Sequence, residues 1–250
     1  GARYNFTGPQ AVGLADVANS LAAIQKFVFE EKSLTMKELN AVLDQNFDEH
    51  EVLRQRLINK APKWGNDDDD VDRFAVEAAN IYCCEVSKYK NTRGGNFRPG
   101  IYSVSGNVPL GLHVGATPNG RFATTPLADG IGPQHGTDKH GPLAITRSAA
   151  KLNHEKITNG TILNQKFTPK LLENQQGKDA LKALIKTYFE KGGWHIQFNV
   201  VSAETLKEAQ NNPEANKGLI IRVAGYSAFF VELDRAVQDD IIKRTENTAF

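Results

Sequence analysis

The chain has 250 residues, 40% of them hydrophobic, with 30 basic against 29 acidic side chains and a formal net charge of +1. That length and apolar share suffice to bury a core in one or two domains, and the balanced charge gives no electrostatic case for a nucleic acid or an anionic membrane partner. No apolar run reaches the roughly eighteen residues that a membrane helix needs, and no signal-peptide pattern opens the sequence, so a soluble, intracellular protein is expected.

Residues 1–13 (GARYNFTGPQAVG) are too rich in glycine for a helix and read as a loop cut from a longer segment. From Leu14 the apolar residues Leu14, Val17, Leu21, Ile24 and Val28 recur at helical spacing, which predicts one amphipathic helix to about Lys32. Thr35 with Glu38 forms a capping-box pattern ahead of Leu39, Val42 and Leu43. A third helix is expected from Asp48, through Val52, Leu57 and Ile58, to a stop at Pro62. The run Asp67-Asp68-Asp69-Asp70 lacks the alternating ligands, turn glycine and distant Glu of a calcium loop; it suits the positive end of a helix over Val71 to Tyr89. Cys83 and Cys84 are vicinal within that helical pattern, point to different sides, and make no CxxC pair.

After Asn91-Thr92-Arg93-Gly94-Gly95 glycine, proline and β-branched residues replace the helix formers, and strands are predicted over Ile101 to Leu110 and Leu112 to Ala116. Gly115 to Arg121 has the glycine spacing of a phosphate loop, but Arg121-Phe122 stands where Lys and Ser/Thr belong, so Pro118, Asn119 and Gly120 are read as a tight turn. His113, His135, His140, His154 and His195 fit no zinc spacing and are taken as polar groups rather than ligands; no metal site is expected. Further helices are predicted over Gly141 to Asn153, Lys178 to Glu190 (inner stripe Leu181, Leu184, Ile185, Phe189), Glu204 to Asn211 and Asp234 to Arg244, with a strand over Trp194 to Val200.

Two apolar runs near the carboxyl end, Leu219-Ile220-Ile221 and Phe229 to Leu233, flank Gly225 and predict a hairpin with glycine at its tip. Glycine there commonly supplies a backbone angle that other residues avoid. It has a second physical use: an α-carbon that loses hydrogen becomes planar, spreads its unpaired electron onto the adjoining amide nitrogen and carbonyl, and tolerates no side chain across that plane.

The string RVAGYSAFFVEL followed by IIKRTE resembles the radical motif of the glycyl radical enzymes, with Gly225 matching the radical-storing glycine. KAPKWGNDDD, NTRGG, GATPNGR, PLADGIGPQHGTDKHGP and NGTILNQKF are similar to the same family, in its order and over essentially the whole chain. The resemblance implies an α/β fold, the C-terminal part of a ten-stranded barrel with helices outside and a glycyl radical hairpin. Its divisions are expected at 1–95 (mainly helical), 96–200 (strand-rich, substrate-lining) and 201–250 (radical domain).

The implied chemistry is elimination of a leaving group, started when a cysteine thiyl takes hydrogen from substrate. AGYSAFF is similar to the branch of glycerol and diol dehydratases, choline lyase and isethionate sulfite-lyase, and unlike pyruvate formate-lyase itself. The branch implies Arg98, Tyr102 and Val104 near substrate. It implies no bound cofactor. The radical on Gly225 is installed by an S-adenosylmethionine iron-sulfur activating enzyme, in an anaerobic cytoplasm, with Gly225 sheltered during turnover. The family's GCVE loop is absent from the sequence, so the implied partners are that activator, an N-terminal part carrying the catalytic cysteine, a small-molecule substrate and a second copy in a homodimer. A non-catalytic radical-domain module that binds or repairs a partner enzyme is the alternative reading.

Overall fold

The structure, a computed structural model, describes residues 2–250. Helix α1 (Leu14–Ile24) runs on into a wider π-helical turn over Gln25–Glu30 and packs along α4 (Asp69–Val86). The contact joins Ala15, Ala18 and Ala22 to Val71, Ala75, Ala79 and Cys83. Val17 and Leu21, predicted to face inward, are 46% and 39% exposed, because two faces of small residues let the helix axes approach where larger side chains cannot. Between them, α2 (Met36–Asp44) starts on the predicted capping box, with Thr35 Oγ1 accepting from Glu38 N at 3.2 Å and Glu38 Oε2 accepting from Thr35 N at 2.8 Å. Helix α3 (Glu51–Lys60) begins later than expected, since Asn46, Phe47 and Glu49 hold left-handed angles that a helix cannot contain. The acidic run does open α4: Asp68 is its N-cap and accepts from Asp70 N.

The two strands predicted over 101–116 do not form. Ile101 makes a single bridge to Thr161, the chain turns at Val104 with φ +56°, and a short helix α5 (Asn107–Gly111) follows. Alternation there misled because Asn107 is buried to bond across the fold, to Asp240 Oδ1 and the Leu127 carbonyl, instead of alternating out to solvent. Residues 117–121 are a turn, bridged Thr117 to Arg121, and the Arg121 guanidinium is spent internally on the carbonyls of Val114 and Thr125. Helix α6 (Gly141–Ala150) leads to β1 (Asn164–Phe167), then α7 (Gln175–Glu190) and β2 (Gln197–Val200). In α7 Leu184 of the predicted stripe is buried and Leu181 and Ile185 are half-buried, but Tyr188 takes the inner place expected of Phe189, which is exposed.

After α8 (Ala203–Asn211), β3 (Ile220–Arg222) pairs antiparallel with β4 (Ser227–Phe229) in the register Ile220 to Phe229, Ile221 to Ala228 and Arg222 to Ser227. The second strand is shorter than predicted, giving way to a 3-10 turn at Phe230–Glu232. Helix α9 (Arg235–Lys243) and β5 (Glu246–Asn247) complete the described residues. Strands β2, β1 and β5 form a parallel sheet in that order, with Asn164 beside Gln197 and Lys166 beside Glu246. Among the described residues these three strands form an open parallel sheet and do not close into a barrel. A separate apolar cluster of Val201, Leu206, Ala209, Ile221, Val223, Phe230 and Ile241 fixes the hairpin to α8 and α9.

Candidate active site

Gly225 occupies the tip joining β3 to β4. The turn is closed by Val223 N donating to the Tyr226 carbonyl at 2.8 Å, and Gly225 takes φ +82°, a region where a side chain is strained. A Cβ placed on it would lie 3.1 Å from Ile162 Cδ1, the one nearby heavy atom on that side. Val223 and Ala224 are buried, whereas Gly225 is exposed among these residues. The sheltered glycine expected from the sequence is therefore not formed by this chain by itself: the tip rests on Ile162 and is otherwise open.

What holds the tip is a ring of side chains from four segments. Gly225 N donates to Gln197 Oε1 at 3.1 Å, and Arg222 Nε donates to the same oxygen at 3.2 Å. Gln197 Nε2 donates to Asn164 Oδ1, its register neighbour across the sheet. Asn164 Nδ2 donates to both carboxylate oxygens of Asp129, at 2.9 and 2.8 Å. Asp129 Oδ2 lies 3.4 Å from Arg244 Nε, and Arg244 Nη1 returns to the turn by donating to the Val223 carbonyl at 2.8 Å. Asn199, two residues along β2 from Gln197, braces β3 by accepting from Arg222 N and donating to the Arg222 carbonyl.

Strand β2 thus buries Gln197 and Asn199 and leaves Val200 48% exposed, the reverse of an apolar-in pattern. A strand that buries its amides marks a polar network, because each buried polar group needs a partner. The sequence carried that signal in QFNV, and Asp129 and Arg244 lie within the strings PLADG and IIKRTE, yet no spacing rule joins segments so far apart.

Beside the ring lies a polar cavity of about 30 Å³, lined among others by Asp129, Asp138, Asn164, Gln165, Lys166 and Arg244. Burial raises the Asp138 carboxyl above its ordinary range despite the Thr245 hydroxyl, and burial lowers the Lys166 ammonium to about 8. Burial and then the Arg222 charge lower His195, which disfavours its protonated form next to β2.

Of the residues expected near substrate, Tyr102 is half-buried and its hydroxyl faces Asn159 Nδ2 at 3.5 Å. It follows Ile101, whose carbonyl accepts from the N–H of Ile162, the residue beneath Gly225, so Tyr102 and the tip share one support. The Arg98 guanidinium lies over the Phe6 ring, 4.5 Å from its centroid, and Val104 is 41% exposed in its left-handed turn. Cys83 is packed against α1, with its thiol pushed up to about 11 chiefly by burial, and Cys84 is exposed; neither approaches the side of Gly225 where Ile162 sits. Among the described residues no cluster of three or more His, Cys, Asp or Glu suits a metal ion, and no helix is long and apolar enough to cross a membrane.

Residues 1–111 match the family described as pyruvate formate lyase-like, and residues 127–231 match the glycine radical family, which takes in the hairpin. The chain is 49% identical to the B12-independent glycerol dehydratase from Clostridium butyricum, whose structure it follows with a TM-score of 0.96 over 100% of this chain and 32% of that one. It is 43% identical to the trans-4-hydroxy-L-proline dehydratase of Clostridioides difficile over 99% of this chain and 31% of that protein. To an isethionate sulfite-lyase of Bilophila wadsworthia (strain 3_1_6) it is 43% identical, over 96% of this chain and 29% of the relative. The chain thus spans about a third of the length of these relatives. With both family matches in order, this backbone agreement and a glycine in the left-handed region at the hairpin tip, the chain belongs to the glycyl radical enzyme family.

Proposed function

We propose that this chain is the radical-bearing portion of a glycyl radical lyase or dehydratase, with Gly225 as the residue that stores the radical. The observation that carries the reading is the placement of Gly225, within the glycine radical match, at a tip whose backbone is strained for any other residue and is held by a dedicated polar ring. An activating enzyme of the S-adenosylmethionine iron-sulfur class removes one α-hydrogen atom, leaving the unpaired electron on the Gly225 carbon. That carbon then takes a hydrogen atom from a cysteine thiol outside residues 1–250, and the thiyl takes one from substrate. The substrate radical expels a neighbouring group as water, an amine or sulfite, with any proton that departure needs supplied by an acid outside residues 1–250, and the product radical takes a hydrogen atom from the cysteine, which regains its own from Gly225.

In this reading the chain's part is positional. Tyr102 and Val104 line the substrate side, and Arg98 offers a planar fork to an anionic substrate group. The relatives' names direct the substrate search to polyols, hydroxylated amino acids and sulfonates. The finer expectations, a homodimer and an anaerobic cytoplasm, belong to the same proposal.

The test is electron spin resonance at low temperature after anaerobic activation of the whole enzyme. A doublet from a single α-hydrogen is expected in the parent protein and its loss in Gly225→Ala, with circular dichroism confirming that the variant remains folded. A doublet that survives in Gly225→Ala defeats the assignment. Activity against glycerol, 1,2-propanediol, trans-4-hydroxy-L-proline, choline and isethionate then identifies the leaving group.

A further inference from the structure

The closed-shell tip is not in the shape that its radical prefers. Spin on the Gly225 carbon spreads onto the amide nitrogen only when the Ala224–Gly225 peptide plane is coplanar with the trigonal carbon, which requires φ near 180° or 0°. At φ +82° that plane stands close to perpendicular, where overlap is least.

The surroundings determine which piece must turn. Downstream, the chain is tied by the Val223–Tyr226 hydrogen bond and by β3–β4 pairing. Upstream, the Val223 carbonyl is held by Arg244, and both sides of Arg222 by Asn199. The peptide plane between Ala224 and Gly225 is the light rotor left. Its N–H is held by Gln197 Oε1, and its carbonyl accepts no hydrogen bond among the described residues. A crankshaft turn of this plane, in which ψ of Ala224 and φ of Gly225 change in opposite senses, moves little else.

We propose that Gln197 is a latch on the unactivated glycine: its side-chain oxygen holds the Ala224–Gly225 peptide plane crosswise, and the plane swings free of Gln197 when Gly225 loses a hydrogen atom and its carbon flattens. Gln197 is thus a positioning residue. It is 7% exposed, is oriented through Asn164 and Asp129, and accepts from Arg222 Nε at the same oxygen, so groups other than the Gly225 N–H also fix its aim. This inference rests on the assignment of the radical to Gly225. In the step concerned, one hydrogen atom, a proton with one electron, passes from the Gly225 carbon to the carbon radical of the activating enzyme, whose C–H bond forms as the glycine C–H bond breaks.

The test compares the parent with Gln197→Met, which keeps length and removes the acceptor, and with Gln197→Glu, which keeps the acceptor and gives up only the amide that donates to Asn164 Oδ1, in the whole enzyme. Before activation, amide hydrogen exchange at Gly225 is expected to quicken about five- to tenfold in Gln197→Met, the span that one ordinary hydrogen bond gives, and to quicken clearly less in Gln197→Glu, whose carboxylate still accepts from the Gly225 N–H and Arg222. Exchange at Ile221 and Ala228, which face each other as a hydrogen-bonded pair of the ladder, should not move, which separates a local latch from a loosened hairpin. After activation the Gln197→Met doublet should keep the parent's α-hydrogen and amide-nitrogen couplings, because the latch is already open in the radical. Unchanged Gly225 exchange in Gln197→Met overturns the latch. So does quickened Gly225 exchange in Gln197→Met accompanied by altered radical couplings, which would mean that the bond persists in the radical. A parent enzyme with normal exchange and no doublet overturns the radical assignment itself, and the release step with it.

Discussion

Lys166 is 2% exposed, with its ammonium donating to the Ile242 carbonyl at 2.9 Å, and burial is what holds its pKa down to about 8, with the Arg244 charge adding to the effect and Glu246 opposing it. Unfolded, the same lysine titrates near its usual value of about 10.4. Between these two values the folded chain binds fewer protons than the unfolded one, so stability rises with pH there, and below about pH 8 the cost of the buried charge is felt in full. Lys166→Met is expected to raise stability by about 1–2 kcal/mol at neutral pH and by progressively less toward pH 10. Urea unfolding at the two ends of that range checks the sign. A variant weakened equally at both pH values would show that the lost Ile242 contact outweighs the removed charge. Val104 makes a complementary case, since a β-branched residue at φ +56° carries about 1–2 kcal/mol of strain. Val104→Asn, which accepts that angle more readily, should melt a few degrees higher, while the apparent substrate affinity of the whole enzyme falls if the isopropyl group lines the pocket as proposed. A higher melting point with unchanged KM would remove Val104 from the substrate side.

The start of α4 shows how helices become a frame for the site. Lys151, just past α6, reaches Asp67 at 2.9 Å and both Asp69 and Asp72 at 2.7 Å, so one ammonium ties the end of one helix to the beginning of another. Asp72 is 1% exposed, and burial raises its carboxyl above the ordinary range even with Lys151 and the Ser148 hydroxyl bonded to it. Lys151→Met leaves that buried carboxylate without its cation and should cost about 3 kcal/mol at neutral pH, while Lys151→Met combined with Asp72→Asn should recover part of the loss. Thermal melts of both variants check it; equal losses in the two would place the effect in helix packing and not in the stranded charge. The contrast with sequence reading is physical. The box at Thr35 was legible because capping is a contact between residues three apart, and the acidic run because carboxylates gather at the positive end of a helix, here with Asp68 as the cap. Lys151 was not, since nothing local in SAAKLN marks a partner some eighty positions away. The same divide runs through the site: the glycine hairpin follows from two apolar runs around Gly225, whereas the ring of Gln197, Asn164, Asp129 and Arg244 exists only once β1 and β2 lie side by side. The strands wrongly expected after Ile101 fail for a related reason, as Asn107 is drawn inward by Asp240 of α9.

Across the whole molecule, the apolar surface is distributed unevenly, and the hairpin that carries Gly225 has a notable share of it. Ile220 and Phe229 are register partners on β3 and β4, 60% and 42% exposed, and Val200 on neighbouring β2 is 48% exposed. Cross-strand partners project from the same face, so the two side chains form one patch rather than two isolated exposures. Contiguous apolar surface of this kind drives association when nothing covers it. Residues 1–250 expressed alone are therefore expected to self-associate as concentration rises, and Ile220→Thr with Phe229→Thr to lower that tendency while leaving the Val223–Tyr226 turn intact, since Arg222 and Ser227 still pair inside the altered positions. Sedimentation velocity from a few to a few hundred micromolar reads the effect. If the unaltered chain sediments as a single monomer across that range, the exposed pair is too small to bind anything by hydrophobic contact, and the hairpin's grip on its surroundings has to come from its polar ring.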